Sequence, residues 1–412
     1  MLPPGVAILP PGLDPLFRAC ASAGGRALFV GGYVRDLLLG HPNKDVDIEV
    51  HHLDVDVLRA LLRRLGHVNE VGRSFGVLKL RLADRTVVGD HEIDVSLPRR
   101  DSREGPGHRG IRATADPHLG VTESARRRDL TINAIAYDPL TDRFEDPFNG
   151  RADLEAGLLR AVDDETFGED PLRALRVAQF AARFNFRIDP ALERLCAAMP
   201  LHELPAERIR GEVEKLLLRA PRPSIGWDFA WRSGAWGKVL PEWGRCPEEV
   251  DRCAAMPVDD PVRRLALLLA AACSGLDPAA TARVLDRLWI HRVEGYPVRR
   301  TVLGLVDRRT AAEGPVDDSA CRRLGEGGEV ELLAALVDRP DLAARAERLG
   351  VARSPLPPLL GGRHLTALGV EVGPEMGRVL ADLRSAQLDG IVSSAEDART
   401  WVRRRMEAPR GT

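Results

Sequence analysis

Residues 27–50 read ALFVGGYVRDLLLGHPNKDVDIEV, and their pattern decides the architecture of the first third of the chain. Ala27–Val30 is a short apolar run closed by Gly31-Gly32, Val34–Leu39 has helical spacing, and Asp45–Val50 alternates with period two. The alternation puts Asp45 and Asp47 on one face of a strand and turns Val46 and Ile48 into a core. Neighbouring carboxylates repel unless a cation lies between them, and Mg²⁺, a hard ion that keeps waters for phosphate oxygens, suits such a pair. A half-exposed strand with plain surface charge gives the same alternation, so the pair alone does not decide.

Working outward, Val57–Leu65 reads as a helix, while Gly76–Leu82 and Glu92–Leu97 alternate again as strands. The second of these brings Asp94 alongside as a candidate third carboxylate, enough for a metal-assisted phosphoryl transfer. Pro98–Thr122, rich in Gly, Pro, His and Arg, reads as a long loop. Beyond Arg151 strand signals nearly vanish. Asp153–Ala161, Asp170–Phe184, Pro190–Ala198 and Ala206–Arg219 read as helices, and helical patterns continue to Ser394–Met406. The fold class expected is α+β, a mixed head followed by an all-helical remainder. Breaks are expected at Ala220–Ser224 (APRPS) and Ser354–Gly362 (SPLPPLLGG).

Composition narrows the function classes. With 412 residues, 44% apolar and 29% charged, the chain can bury several cores and is not disordered. Its longest apolar run, Leu265–Cys273, has nine residues, too few for a membrane span. The start, MLPPGVAILPPGLDP, lacks the basic region of a signal peptide, so a cytoplasmic protein without a membrane partner is expected. The six cysteines form no CxxC and suit no zinc site with the histidines. A net charge of −2 argues against nucleic acid only on average. Arg99–Arg128 holds eight arginines against four acids, a local +4, and it runs directly into the apolar segment after Arg128.

Three short motifs carry chemistry. Gly31-Gly32-Tyr33-Val34-Arg35-Asp36 ends a strand and opens a helix, where backbone amides and Arg35 could meet an anion. No GxxxxGK[ST] is present and Gly31-Gly32 does not open a GxGxxG, so this turn supports neither a P-loop nor a dinucleotide fold. Arg126-Arg127-Arg128-Asp129-Leu130-Thr131-Ile132-Asn133 offers Arg128 to a triphosphate and Asn133 to a ribose or backbone group. In Glu169-Asp170-Pro171-Leu172-Arg173-Ala174-Leu175-Arg176, the polar residues at 170, 173 and 176 step by three along one side of an otherwise apolar helix, with Asp170 as its cap. Asp170 and Arg173 could satisfy each other as an i,i+3 pair. They could equally read a base edge. Cytosine and adenine both present an amino donor beside a ring-nitrogen acceptor, whereas uracil and guanine present the reverse. A carboxylate beside a guanidinium therefore selects C and A, and leaves buried groups unpaired with U and G.

Taken in order, GGYVRDLLLG, KDVDIEV, RRDLTINAIAYDP, FEDPFNGRADLEAGLLRAV, GEDPLRALRVAQF and ERIRGEVEKLL resemble the class II tRNA nucleotidyltransferases (CCA-adding enzymes) and bacterial poly(A) polymerases, across roughly residues 27–220. The stretch GRHLTALGVEVGPEMGRVLADLRSAQLDG is similar to the tail of such enzymes. The resemblance implies a polymerase-β-like head (1–150) and helical neck (151–222), body (223–353) and tail (354–412). It implies addition of C, C and A from CTP and ATP to the 3′ end of tRNA, with Mg²⁺ and release of pyrophosphate. Poly(A) addition, CC-only or A-only addition are the alternatives. The roles implied are Asp45 and Asp47 as metal ligands with Asp94 as a third carboxylate, Gly32, Arg35 and Arg128 for the incoming nucleotide, Asp170 and Arg173 as the amino-acid template, and Arg176 in support. Gln179 stands where the family often has arginine, so a phosphate-side contact there would lack charge. No adjacent His-Asp pair occurs around Val262–Pro278, so no accessory phosphohydrolase is expected, and no obligate protein partner is evident. A catalytically silent RNA-binding relative and a small-molecule nucleotidyltransferase are the readings from other classes. The intact Asp45/Asp47 pair opposes the first, and the long helical remainder opposes the second.

Overall fold

The computed structural model describes residues 12–43, 45–70, 77–82, 92–103 and 111–407. The opening MLPPGVAILPP, Lys44 and Gly76 of the expected strand lie outside the described residues. The chain divides into two compact units, Met1–Leu216 with Ile225–Val239, and Leu217–Ser224 with Leu240–Thr412.

The first unit is built on a seven-stranded sheet of order β3-β4-β5-β2-β1-β8-β9. Its strands are β1 (Arg26–Val30), β2 (Asp47–His51), β3 (Gly66–Glu70), β4 (Val77–Leu82), β5 (Ile93–Ser96), β8 (Ala136–Asp138) and β9 (Arg143–Glu145). β2 and β5 run parallel; every other pair is antiparallel. Period-two alternation sorts the central strands into two faces. Val46, Ile48, Val50, Leu80, Ile93 and Val95 enter a core with Phe17, Phe29, Leu58 and Leu62, roofed by α1 (Asp14–Ser22) and α3 (Val55–Leu65). The opposite face carries Asp47, Glu49 and His51. There Glu49 accepts from Ser124 Oγ (2.6 Å) and from Arg127 Nη2 (3.2 Å), so residues 119–128 cover this polar side.

Pro98–Thr122 differs from the expected loop. Arg99–Arg103 (β6) and Ile111–Ala115 (β7) pair antiparallel as a separate two-stranded ribbon, in register from Arg99↔Ala115 to Arg103↔Ile111. The ribbon has almost no apolar alternation, and its backbone ladder alone defines it. The helix expected at Asp153–Ala161 is shorter, Gly150–Glu155, because Gly157 turns left-handed (φ +61°) and Leu158–Leu159 then pairs with Arg187–Ile188. The helix expected from Asp170 begins at Arg173 and runs to Phe184. Asp170 still caps the turn before it, its Oδ1 accepting the Leu172 amide at 3.2 Å.

The second unit is helical. Its centre is the helix Pro261–Ala272, where the apolar run Leu265–Cys273 is buried throughout. A separate cluster of Leu360, Leu365, Val379, Leu383, Ala398 and Val402 packs the last three helices together. Among the described residues no helix is long and apolar enough to cross a membrane, and all six cysteines are free.

Candidate active site

β2 and β5 bring two of the predicted carboxylates together. Their parallel register pairs Asp47 with Asp94, and the Asp94 amide donates to Val46 O (3.0 Å). Asp45 lies just before β2, its amide held by Asn43 Oδ1 at 2.9 Å. Burial raises the Asp47 pKa above the ordinary carboxylate range; Arg128 opposes this, while Asp94 and Asp45 push it further up. Such mutual repulsion between carboxylates is what a bound divalent cation would relieve. Asp94 is not free, however: across β4–β5 it faces Lys79, whose Nζ lies 3.0 Å from its Oδ1. Lys79 was not anticipated from the sequence, although its alternation within VLKLRL puts it on the carboxylate side. Among the described residues no group of three or more His, Cys, Asp or Glu is arranged to hold a metal ion, and Asp94 is engaged by Lys79.

Gly31, rather than Gly32, carries the strict demand for glycine. Its φ is +70°, and a Cβ there would meet Arg128 Nη1 at 2.7 Å, with Asp47 Oδ2 3.7 Å away. Arg128 thus lies against the glycine turn beside Asp47. Burial lowers its pKa, and Glu49 and Asp47 pull the other way. Among the described residues its guanidinium has no hydrogen-bond or ion-pair partner, which leaves its donors for an anion.

Arg35 is placed differently from the expectation that it meets a nucleotide directly. It is 4% exposed, donates through Nε to Asp36 (2.8 Å) and through Nη1 to Asn133 Oδ1 (2.6 Å), and lies over the rings of Phe180 (5.1 Å) and Phe184 (4.8 Å). Asn133 is likewise internal, donating to Asp129 Oδ1 at 2.9 Å. Asp129 in turn accepts from Arg176 Nε at 2.7 Å. Burial disfavours the Asp129 charge, but Arg176 and Asn133 outweigh it and hold the group at about 2. Asp36, Arg35, Asn133, Asp129 and Arg176 therefore form one buried polar chain from the glycine turn to the helix Arg173–Phe184.

That helix brings Arg173 and Arg176 against residues 127–129, with Asp170 in the turn just before it. Arg173 donates to Thr166 O (2.8 Å) and Arg127 O (2.5 Å), leaving three of its roughly five N–H groups unused. Asp170 does not pair with Arg173. Arg208, on the helix Ala206–Arg219, donates to both of its carboxylate oxygens, at 3.1 and 2.7 Å. Nothing local in the sequence marks Arg208, which lies 38 residues away. Gln179 is 2% exposed, and its Nε2 has no hydrogen-bond partner among the described residues.

Paired strand carboxylates beside a glycine turn and an unengaged arginine define a nucleotidyltransferase-type head, and the family described as "Poly A polymerase head domain" matches residues 27–160. A multifunctional CCA protein of Laribacter hongkongensis is 36% identical over 297 residues, 67% of this chain and 69% of that one, so the chain belongs to the CCA-adding enzyme family. Two further CCA proteins, from Thioalkalivibrio sulfidiphilus (40% over 224 residues, 53% of this chain) and Nitrosococcus oceani (37% over 217 residues, 52% of this chain), are matched over 51% and 50% of their own lengths. The chain thus spans about half the length of these two relatives. The Bacillus stearothermophilus CCA-adding enzyme in complex with CTP has a similar fold (TM-score 0.71, 23% identity, 97% of this chain and 98% of that one). So does the Thermotoga maritima CCA-adding enzyme complexed with tRNA (TM-score 0.67, 23% identity, 95% and 94%).

Proposed function

We propose that this protein adds C, C and A to the 3′ end of tRNA from CTP and ATP, releasing pyrophosphate. One observation carries the reading: residues 127–129 join the base-reading helix to the carboxylates. Arg127 O holds Arg173, Asp129 holds Arg176, and Arg128 between them lies beside Asp47. A nucleotide whose triphosphate meets Arg128 thereby has its base addressed by side chains fixed to the same segment.

Asp45 and Asp47 would hold Mg²⁺, which when bound favours the attacking 3′ oxygen and offsets charge on the leaving pyrophosphate. The remaining roles fall to the chain itself. The Asp170 carboxylate accepts from the exocyclic amino group of C or A, and Arg173 donates to the adjacent ring nitrogen. Arg208 fixes the first and the carbonyls of residues 127 and 166 fix the second. Uracil and guanine would set donor against donor and acceptor against acceptor, at about 1–3 kcal/mol for each unpaired group. Arg35 acts from behind Gly32, where a Cβ would lie 3.4 Å from its Nη2. The domain roles follow: head 1–150 for chemistry, neck 151–222 for base selection, body 223–353 and tail 354–412 for RNA, with no membrane or obligate protein partner and a cytoplasmic setting.

The test is purified protein with Mg²⁺ and tRNA lacking its 3′ CCA, given CTP alone, ATP alone and both in sequence. Two additions with CTP, one further addition on supplying ATP, and none without the divalent ion are expected. Long A tails on unrelated RNA would overturn the reading in favour of poly(A) addition.

A further inference from the structure

Among the described residues eight helix ends close with the same bond, from the amide of the residue after a left-handed position to the carbonyl four residues before that position. Five of those left-handed positions are glycine (Gly24, Gly40, Gly350, Gly369, Gly390), one is Asn185 and one is Asp338. These are the residue types that tolerate positive φ. The eighth is Trp289, at φ +51°, where the Ile290 amide donates to Leu285 O (2.9 Å) at the end of the helix Pro278–Arg287. A bulky side chain in this conformation is strained, and this one lies mostly outside the core: Trp289 is 63% exposed. Among the described residues its indole has no hydrogen bond or ring contact. Packing therefore does not explain the tryptophan.

Its surroundings are rigid and basic. Ile290 and Leu288 on either side are fully buried. Val293 and Tyr296 then pair around a tight turn at Glu294 and Gly295, both at positive φ. The Tyr296 hydroxyl is anchored on Glu329 (2.8 Å), and the Arg299 amide ties the next helix back to His291 O (3.1 Å). Residues 283–300 contain five arginines against two acids; Arg283 and Arg287 lean on Glu242 (3.4 and 3.2 Å), while Arg292 and Arg300 are exposed on the C-terminal side of Trp289 in the chain. An exposed aromatic on a fixed backbone, with Arg292 and Arg300 exposed in the same stretch of chain, matches a nucleobase with phosphates nearby.

We infer that Trp289 is a stacking platform for an unpaired base of the RNA substrate, with Arg292 and Arg300 against the neighbouring phosphates. The inference rests on the proposal that the protein acts on tRNA. The experiment compares Trp289→Gly, Trp289→Phe and the wild type for tRNA affinity by filter binding, for kcat and KM, and for thermal midpoint. Glycine suits the left-handed position, so Trp289→Gly should raise the midpoint by about 2 °C while weakening tRNA binding about tenfold. In that variant kcat and the KM for CTP should hold, and Trp289→Phe should keep most of the affinity. Equal tRNA affinity in Trp289→Gly and wild type would overturn the stacking role, and so would a wild-type self-association that the same variant abolishes. Failure of the wild type to bind or extend tRNA would instead remove the functional proposal beneath it.

Discussion

Arg208→Ala isolates one support of base selection without touching any group proposed to contact nucleotide. Arg208 makes two charge-assisted bonds to Asp170, and the two side chains are 28% and 24% exposed. A hydrogen bond to a charged group contributes about 1.5–3 kcal/mol when buried, and partial exposure discounts this for solvent screening. The Leu172 amide remains on Oδ1, so the freed carboxylate keeps one of three restraints. About 1–2 kcal/mol of positioning is lost, equivalent to roughly 5- to 30-fold in kcat/KM for CTP and ATP. UTP, which does not use the positioned carboxylate, is left unchanged, so the CTP/UTP ratio falls by a similar factor. Arg208→Lys, which keeps the charge and loses the fork, should fall between. The assay is single-nucleotide extension kinetics with each of the four NTPs on tRNA lacking CCA. A wild-type CTP/UTP ratio in Arg208→Ala, at unchanged stability, would refute the claim that Asp170 needs this partner to read a base.

Three other perturbations follow from the same structure. Asp47→Asn should cut kcat by roughly 10³-fold or more, since several kcal/mol of transition-state stabilisation depend on the metal pair. Because burial and like charges raise the Asp47 pKa, it should also raise the melting midpoint of the metal-free protein near neutral pH, and an unchanged midpoint would contradict that electrostatic account. Glu49 and Asp129 are both buried yet held at about 2, Glu49 by His51 and Arg128 and Asp129 by Arg176 and Asn133, against ordinary values of 4.5 and 3.8. Depressed carboxylates stabilise above their unfolded pKa, so stability of order 2 kcal/mol from each should be intact above about pH 5 and lost as pH falls toward 2, read by denaturant titration at stepped pH. Gly226→Ala places a Cβ 2.1 Å from Ala178 O, forcing the helix Pro223–Arg232 away from the helix Arg173–Phe184. It should cost about 2 kcal/mol or more, visible as a lower urea midpoint.

The parts of this protein legible in the sequence are those whose signal is local. Period two in DVDIEV and EIDVSL announces the strands that pair Asp47 with Asp94, although Asp45 falls just before its strand, and apolar spacing announces the helix around Arg176. The Arg99–Ala115 ribbon was hidden because arginine-rich strands held by backbone bonds lack a hydrophobic face. The early end at Glu155 was hidden because one left-handed glycine overrides helical spacing. Long-range partners were out of reach altogether: nothing near Asp170 points to Arg208, and nothing near Arg35 says that Phe180 and Phe184 enclose it. The net charge of −2 was the least informative figure, since Arg35, Arg128, Arg173, Arg176 and Arg208 act on local partners that an average over the chain conceals.

The central claim is that one protein site, without a nucleic-acid template, accepts C and A and refuses U and G. Its most direct measurement is sequencing of tRNA 3′ ends after incubation with Mg²⁺ and all four NTPs at equal concentration. The account predicts ends terminating in CCA, with U and G rare and no extension past the terminal A. Homopolymeric A tails, or ends of mixed composition, would contradict it.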